Sequence, residues 1–247
     1  FTRFNQDFLL ENKIIWAVYF PSGPYVYQVY KTYGFAEQDI SLLYLIGFAS
    51  SVLFGTCTGP LADKFGRKRM CIMYCVLYAI CCVTKLSPDF RMLAFGRVCG
   101  GVATSLYVYE HKLTARLSPD LISITFSAST FWNGILAIVA GLLANLFAES
   151  LSFGPVSPFI VALPFLAIAA TLILTTWTEN YGEKSESSWI MSCGEGFNKI
   201  HEDSNILLLG AFQSLFESVM YIFVFLWTPM LSAGAPPLGF VFAAYMV

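Results

Sequence analysis

The feature that most constrains this chain is a series of apolar stretches, each about as long as a bilayer core is thick. Residues 40–62 include no charged side chain. An α-helix rises about 1.5 Å per residue, so about 20 apolar residues cross the hydrocarbon. Stretches of that kind recur at 14–33, 40–62, 70–86, 92–109, 121–148, 158–177 and 205–227, and another begins at Leu238. No water is available there to satisfy free N–H and C=O groups, so such spans must be helices rather than open strands. The expected fold is an all-α membrane protein with seven complete spans and the start of an eighth.

Composition supports the membrane as solvent. Charged residues make up 12% of the chain, against about 25% in an ordinary soluble domain. The net charge of −2 leaves no basic footprint for nucleic acid. Arg3, Asp7, Glu11 and Lys13 interrupt residues 1–13, so no cleavable signal peptide is expected among them. Six of the seven cysteines fall in apolar runs without a CxxC pair, so they read as small hydrophobes rather than a disulfide framework or metal centre.

Lysine and arginine set the orientation. With Lys64, Arg67, Lys68 and Arg69 in the cytoplasm, alternation puts Lys112, Arg116, Lys184, Lys199, Arg3 and Lys13 on the same side. Lys31, Lys85 and Arg91 face the other way. The polar segment 178–204 then becomes a cytoplasmic linker. The expected division is a six-helix bundle over 1–178, a linker over 179–204 and the start of a second bundle over 205–247.

The hairpin "GPLADKFGRKRM", residues 59–70, places five charges between two apolar spans. Its pattern Gly59-x-x-x-Asp63-Lys64-x-Gly66-Arg67-Lys68 resembles the signature loop of the major facilitator superfamily. There the loop joins the second and third helices of the first bundle. Gly59 follows Gly55 at a small-xxx-small spacing that permits close helix approach. Asp63 sits at the C-terminal end of its helix, where the macrodipole disfavours it, so it needs an outside partner. Arg67 is one candidate, and the resemblance implies another in the second bundle. The alternative is a loop that only anchors topology.

The resemblance extends along nearly the whole chain. "GRKR", "LAFGRVCGG", "FWNGILAIVAG", "GPVSPFIVALPFLAIA", "WTENYG" and "FQSLFESVMYIFVFLWTPML" together are similar to the molybdate-anion transporter branch of that superfamily. It implies an incomplete transporter chain in the plasma membrane, with molybdate or a related oxyanion as substrate; Glu217 adds protons as a coupling ion, and no motif calls for a cofactor. One departure stands out: the fourth span is shorter than in that branch and has nothing spare for tilt. This keeps open an alternative, a shortened variant or a non-transporting scaffold or nutrient sensor with the transporter fold.

Few residues carry chemistry, and none forms a nucleophile–base pair. Arg97 is a cation inside an apolar span, where charges usually face a bundle interior or watery cavity. Its guanidinium suits an oxyanion; it could also hold a carboxylate or carbonyl, or snorkel outward. Lys13 and Lys85 lie at span ends and are expected to reach water. Gln213 and Glu217 lie four apart on one face of the seventh span, fit for a proton relay or for a structural hydrogen bond. Asn133, beside Trp132 in the fifth span, is a transport candidate, with a hydrogen bond between helices as the plainer reading. Pro21-Ser22-Gly23-Pro24 breaks the first span, as a cavity lining or a plain kink. Tyr25, Tyr27, Tyr30 and Tyr33 read most simply as an interfacial belt, with stacking in the pathway as the alternative for some of them.

Overall fold

A computed structural model describes residues 25–107, 119–177, 200–231 and 237–245, with positions 179, 194, 198 and 234. Regular structure among the described residues is helical. The helices used below are α1 (Val26–Thr32), α2 (Glu37–Phe65), α3 (Arg67–Thr84), α4 (Phe90–Tyr107), α5 (Pro119–Asn145), α6 (Ser157–Thr176), α7 (Ser204–Leu231) and α8 (Leu238–Tyr245). Pro21–Pro24 and most of the 178–204 linker lie outside the described residues.

The helices follow the expected spans, and the differences have local causes. α2 starts before the apolar run because Glu37 and Asp39 occupy its first turn, where the macrodipole favours acids. It ends at Gly66, whose φ of 94° suits a residue without Cβ. α5 continues into a π-helical turn, Leu146–Ser150, which carries Glu149. The Glu149 carboxylate accepts from the Tyr25 hydroxyl at 3.1 Å and from the backbone N–H of Leu238 at 3.2 Å. It thereby ties α1, α5 and α8 together.

α4 is the centre of the packing, with α2 on one side and α3 on the other. Two faces of small residues make this possible. A Cβ on Gly96 would collide with Thr84, and one on Gly100 would lie 3.0 Å from the Cys81 sulfur, both on α3. A Cβ on Gly101 would collide with Ser50 and the Gly47 carbonyl of α2 and come within 2.9 Å of Ser51 N. Glycines at these positions let the backbones meet, as in membrane helix pairs. The Ser105 hydroxyl donates to the Ser51 carbonyl at 2.8 Å across the same contact. α3 turns its other face to α6, and α8 crosses α5 at Gly239. α7 stands clear for most of its length.

Polar groups share the interior with an apolar core, and large apolar side chains also cover the outside. Ser50, Thr58, Thr84, Ser105 and Asn145 are buried, whereas Leu53, Leu209 and Leu215 are each 70% exposed. In water this surface would be an aggregation liability; in lipid it is the outward face. Among the described residues Glu37–Gly55, Ser157–Thr176 and Ser204–Leu231 are long and apolar enough to cross a membrane on their own. α3 and α4 are less apolar because Arg67, Lys68, Arg69, Arg91 and Arg97 lie on them. The chain is a membrane protein.

Two expectations are corrected here. Lys85 does not reach water: it is 1% exposed, because the chain turns inward after Thr84 and its side chain folds beneath α1. The α1 tyrosines are not an interfacial belt. Tyr25, Tyr27 and Tyr30 are at most 4% exposed, because α1 is enclosed by its neighbours; the Tyr25 hydroxyl meets Glu149 and the Tyr30 hydroxyl meets Lys85.

Candidate functional site

Arg97 lies two turns into α4, about 10 Å from its first residue at 1.5 Å per residue. It does not snorkel. Its side chain turns to α2, where Nε donates to the Leu43 carbonyl at 3.1 Å. The guanidinium carbon lies over the Tyr44 ring, 4.8 Å from the centroid. Gly47 makes room for it: a Cβ there would stand 2.8 Å from Nη2 and 2.9 Å from Nε. A half-buried guanidinium is thus held in the α2–α4 crossing beside an aromatic face.

Tyr44 is the hub of this cluster. Tyr30 of α1 meets it edge to face at 6.4 Å, and Phe225 of α7 does so at 5.3 Å. Phe225 also touches Tyr27, and Tyr221 lies against Phe48 at 4.5 Å. The seat of Arg97 therefore sits where α1, α2 and α4 meet α7. Lys85 closes the far side. Its ammonium bonds the Tyr30 hydroxyl and lies over the same ring, 4.4 Å from the centroid.

The other end of the helices holds the signature hairpin. Glu179, just beyond α6, sits over the start of α3. Its Oε1 accepts from the Lys68 backbone N–H at 3.0 Å, and Arg69 Nε approaches Oε2 at 3.7 Å. Lys68 returns the favour to α6, its ammonium donating to the carbonyls of Leu174 at 2.9 Å and Trp177 at 2.6 Å. An acid caps one helix start and a base caps the other helix end, each favoured by the macrodipole. Gly66 is needed here as well, since a Cβ would strike the Glu179 carboxylate. Arg67 is buried, and Lys64 is exposed beside the Phe65 ring.

The remaining candidates separate from these clusters. Gln213 Nε2 donates to Glu217 Oε1 at 2.9 Å along α7, so the i, i+4 pair forms, on a helix with little cover. Gly59 and Asp63 lie in α2 and Asn133 in α5, but the side chains of Asp63 and Asn133 fall outside the described residues. Sequence reasoning gave Tyr30 and Lys85 other roles and missed Tyr44, Gly47 and Glu179. Only Gly47 left a signal, as a small residue one turn before Ser50 and Ser51.

A helical bundle with the half-buried Arg97 at one end and a basic hairpin at the other is a membrane fold of the major facilitator type. The chain belongs to that superfamily: a family model described as sugar transporters with 12 membrane spans matches residues 1–247. Curated relatives named molybdate-anion transporter match all of it, at 41% identity in Takifugu rubripes, 40% in Danio rerio and 39% in Xenopus tropicalis. The chain spans 58%, 57% and 56% of their respective lengths. The Takifugu match runs over 277 positions against 247 residues here, so the relative carries residues this chain lacks.

Proposed function

We propose that this chain is part of a plasma-membrane transporter of a small inorganic oxyanion, molybdate, working by alternating access of two bundles. The observation that carries the reading is Arg97, turned inward onto Tyr44 at the junction with α7. A tetrahedral dianion sheds much hydration on entering a low-dielectric site, and only cations or several N–H donors replace it. The relatives' name supports the same substrate and favours transport over a scaffold or sensor. A sugar, which the family description names, has no charge for a guanidinium to hold.

In this reading the α2–α3 hairpin faces the cytoplasm, and Asp63, Lys64, Arg67 and Lys68 belong to the inner gate, with 179–204 as the linker between bundles. Asn133 on α5 is a further candidate for substrate contact, and Glu217 with Gln213 handles a coupling proton. The test is molybdenum accumulation in cells expressing the full-length protein, normalised to surface abundance. Arg97→Ala should abolish uptake and Arg97→Lys should weaken it, since a point charge does not reproduce two-point recognition. Normal uptake by a well-expressed Arg97→Ala protein would overturn the assignment, and uptake of a monosaccharide in place of molybdate would transfer it to sugars.

A further inference from the structure

Glu149 has no part in the proposed function, yet it joins three helices. It leaves α5 on the π-helical turn Leu146–Ser150, where the Leu151 N–H donates to the Leu146 carbonyl at 2.8 Å. Such a turn adds one residue to a helix, changes the face on which side chains emerge, and recurs at functional positions. The Glu149 carboxylate takes a hydrogen bond from the Tyr25 hydroxyl of α1 at 3.1 Å and another from the Leu238 N–H at the start of α8 at 3.2 Å. An acid beside the first N–H groups of a helix is favoured by the macrodipole. With α1 and α5 in the first bundle and α8 in the second, one carboxylate spans the division between them.

The contact lies at one end of the molecule. α6 finishes at the basic hairpin, where the Trp177 carbonyl accepts from Lys68 and Glu179 from the Lys68 N–H. The α5–α6 turn with Glu149 is therefore at the other end of α6, a helix of 20 residues, or about 30 Å. α7 meets the first bundle in the same half. Phe225 packs on Tyr27 and Tyr44, and Thr228 is buried, whereas residues 204–216 are exposed throughout.

This closure is held by few groups. Gly239 lets α8 lie on α5, since a Cβ there would collide with the Gly141 carbonyl and Asn145. The same crossing buries Asn145, 4% exposed, and among the described residues its Oδ1 has no hydrogen-bond partner. A buried acceptor without a partner is costly, and water meets it once the helices part. The two bonds to Glu149 favour the closed contact and the unmet amide opposes it, so the joint is near balance, as a two-state element requires.

We propose that Glu149 is the outer latch of the carrier: its bonds to Tyr25 and Leu238 hold α8 against α1 and α5 at the face opposite the hairpin, and that face opens when they part. This rests on the alternating-access reading with the hairpin in the cytoplasm. The structure is then the outer-closed form, and the strength of the latch sets what fraction of carriers opens to external substrate.

The experiment reads the latch by thiol labelling of the full-length protein on intact cells, with sites resolved by peptide mass spectrometry. Leu238→Cys keeps the backbone N–H that Glu149 accepts from, and position 238 is 7% exposed, so an impermeant maleimide should label it slowly. Adding Glu149→Ala should speed that labelling about tenfold, the shift that loss of a hydrogen bond to a charged group permits. Tyr25→Phe keeps the ring and drops one donor, and should give a smaller rise. Half-saturation for external molybdate should fall in Glu149→Ala, because more carriers stand outward-open; a damaged fold would not lower it. Cys75 and Cys82, 3% and 2% exposed, report the fold and should stay unlabelled. An unchanged Leu238→Cys rate in Glu149→Ala overturns the proposal, and so does labelling of Leu238→Cys only after permeabilisation. Should Glu149→Ala miss the surface or expose Cys75 or Cys82, Tyr25→Phe decides in the same way. Failure of the transport reading is recognised separately: the parent then accumulates no molybdenum above untransfected cells, whatever the labelling rates.

Discussion

Replacing Gly47 by alanine tests the Arg97 seat without touching a charge. The added methyl would stand 2.8 Å from Nη2, 2.9 Å from Nε and 3.0 Å from Cζ of Arg97. Carbon contacts are comfortable from about 3.5 Å, so the guanidinium must retreat by about half an ångström. The Nε bond to the Leu43 carbonyl, 3.1 Å long, would then stretch beyond hydrogen-bond range. A hydrogen bond to a charged group contributes about 1.5–3 kcal/mol net, and the stacking on Tyr44 about 0.5–2 kcal/mol. Losing part of both removes about 1.5–3 kcal/mol of preorganisation, or about ten- to a hundredfold in half-saturation. The helix itself gains, since alanine is better than glycine in a helix interior by about 1 kcal/mol. Abundance and uptake should therefore move apart: surface protein equal to or above the parent's, with a raised half-saturation for molybdate. The assay is concentration-dependent molybdenum uptake with surface labelling on the same cells. Parent-like uptake at parent-like abundance would refute the argument that Gly47 and Arg97 form the seat.

The hairpin and α7 yield two more predictions. Glu179→Gln removes the charge that caps α3 and should cost about 1 kcal/mol, leaving insertion intact but making Lys68 more reactive towards an amine reagent applied from the cytoplasmic side. Asp63→Asn, made alongside, should change the uptake rate and the inward/outward balance; if neither variant alters rate or accessibility, the hairpin is a topology anchor. Glu217→Gln should abolish any dependence of uptake on a pH gradient while exchange persists, and a parent protein whose uptake ignores the gradient would leave Glu217 a structural partner of Gln213.

The sequence by itself determined the solvent, the helices and the hairpin. Lipid demands internal backbone bonding and about 20 apolar residues per crossing, so the run at 40–62 could only become a helix such as α2. A positive-φ glycine between two helices also leaves a local mark, and Gly66 was singled out with its basic neighbours. Arg97 stood out because one charge in an apolar run has few permitted fates. Partnership was not legible. Lys85 looks like a water-seeking end residue, and only packing beneath Tyr30 and Tyr33, 55 and 52 positions away in the chain, buries it. Glu179 reads as one acid in a polar segment until α6 brings it over the start of α3, 111 positions from Lys68. The α1 tyrosines carry the same pattern whether they meet headgroups or Glu149, Lys85 and Tyr44. Hydropathy is summed along the chain, whereas burial of a polar group depends on which distant partner meets its hydrogen bond; the tertiary structure supplied that choice.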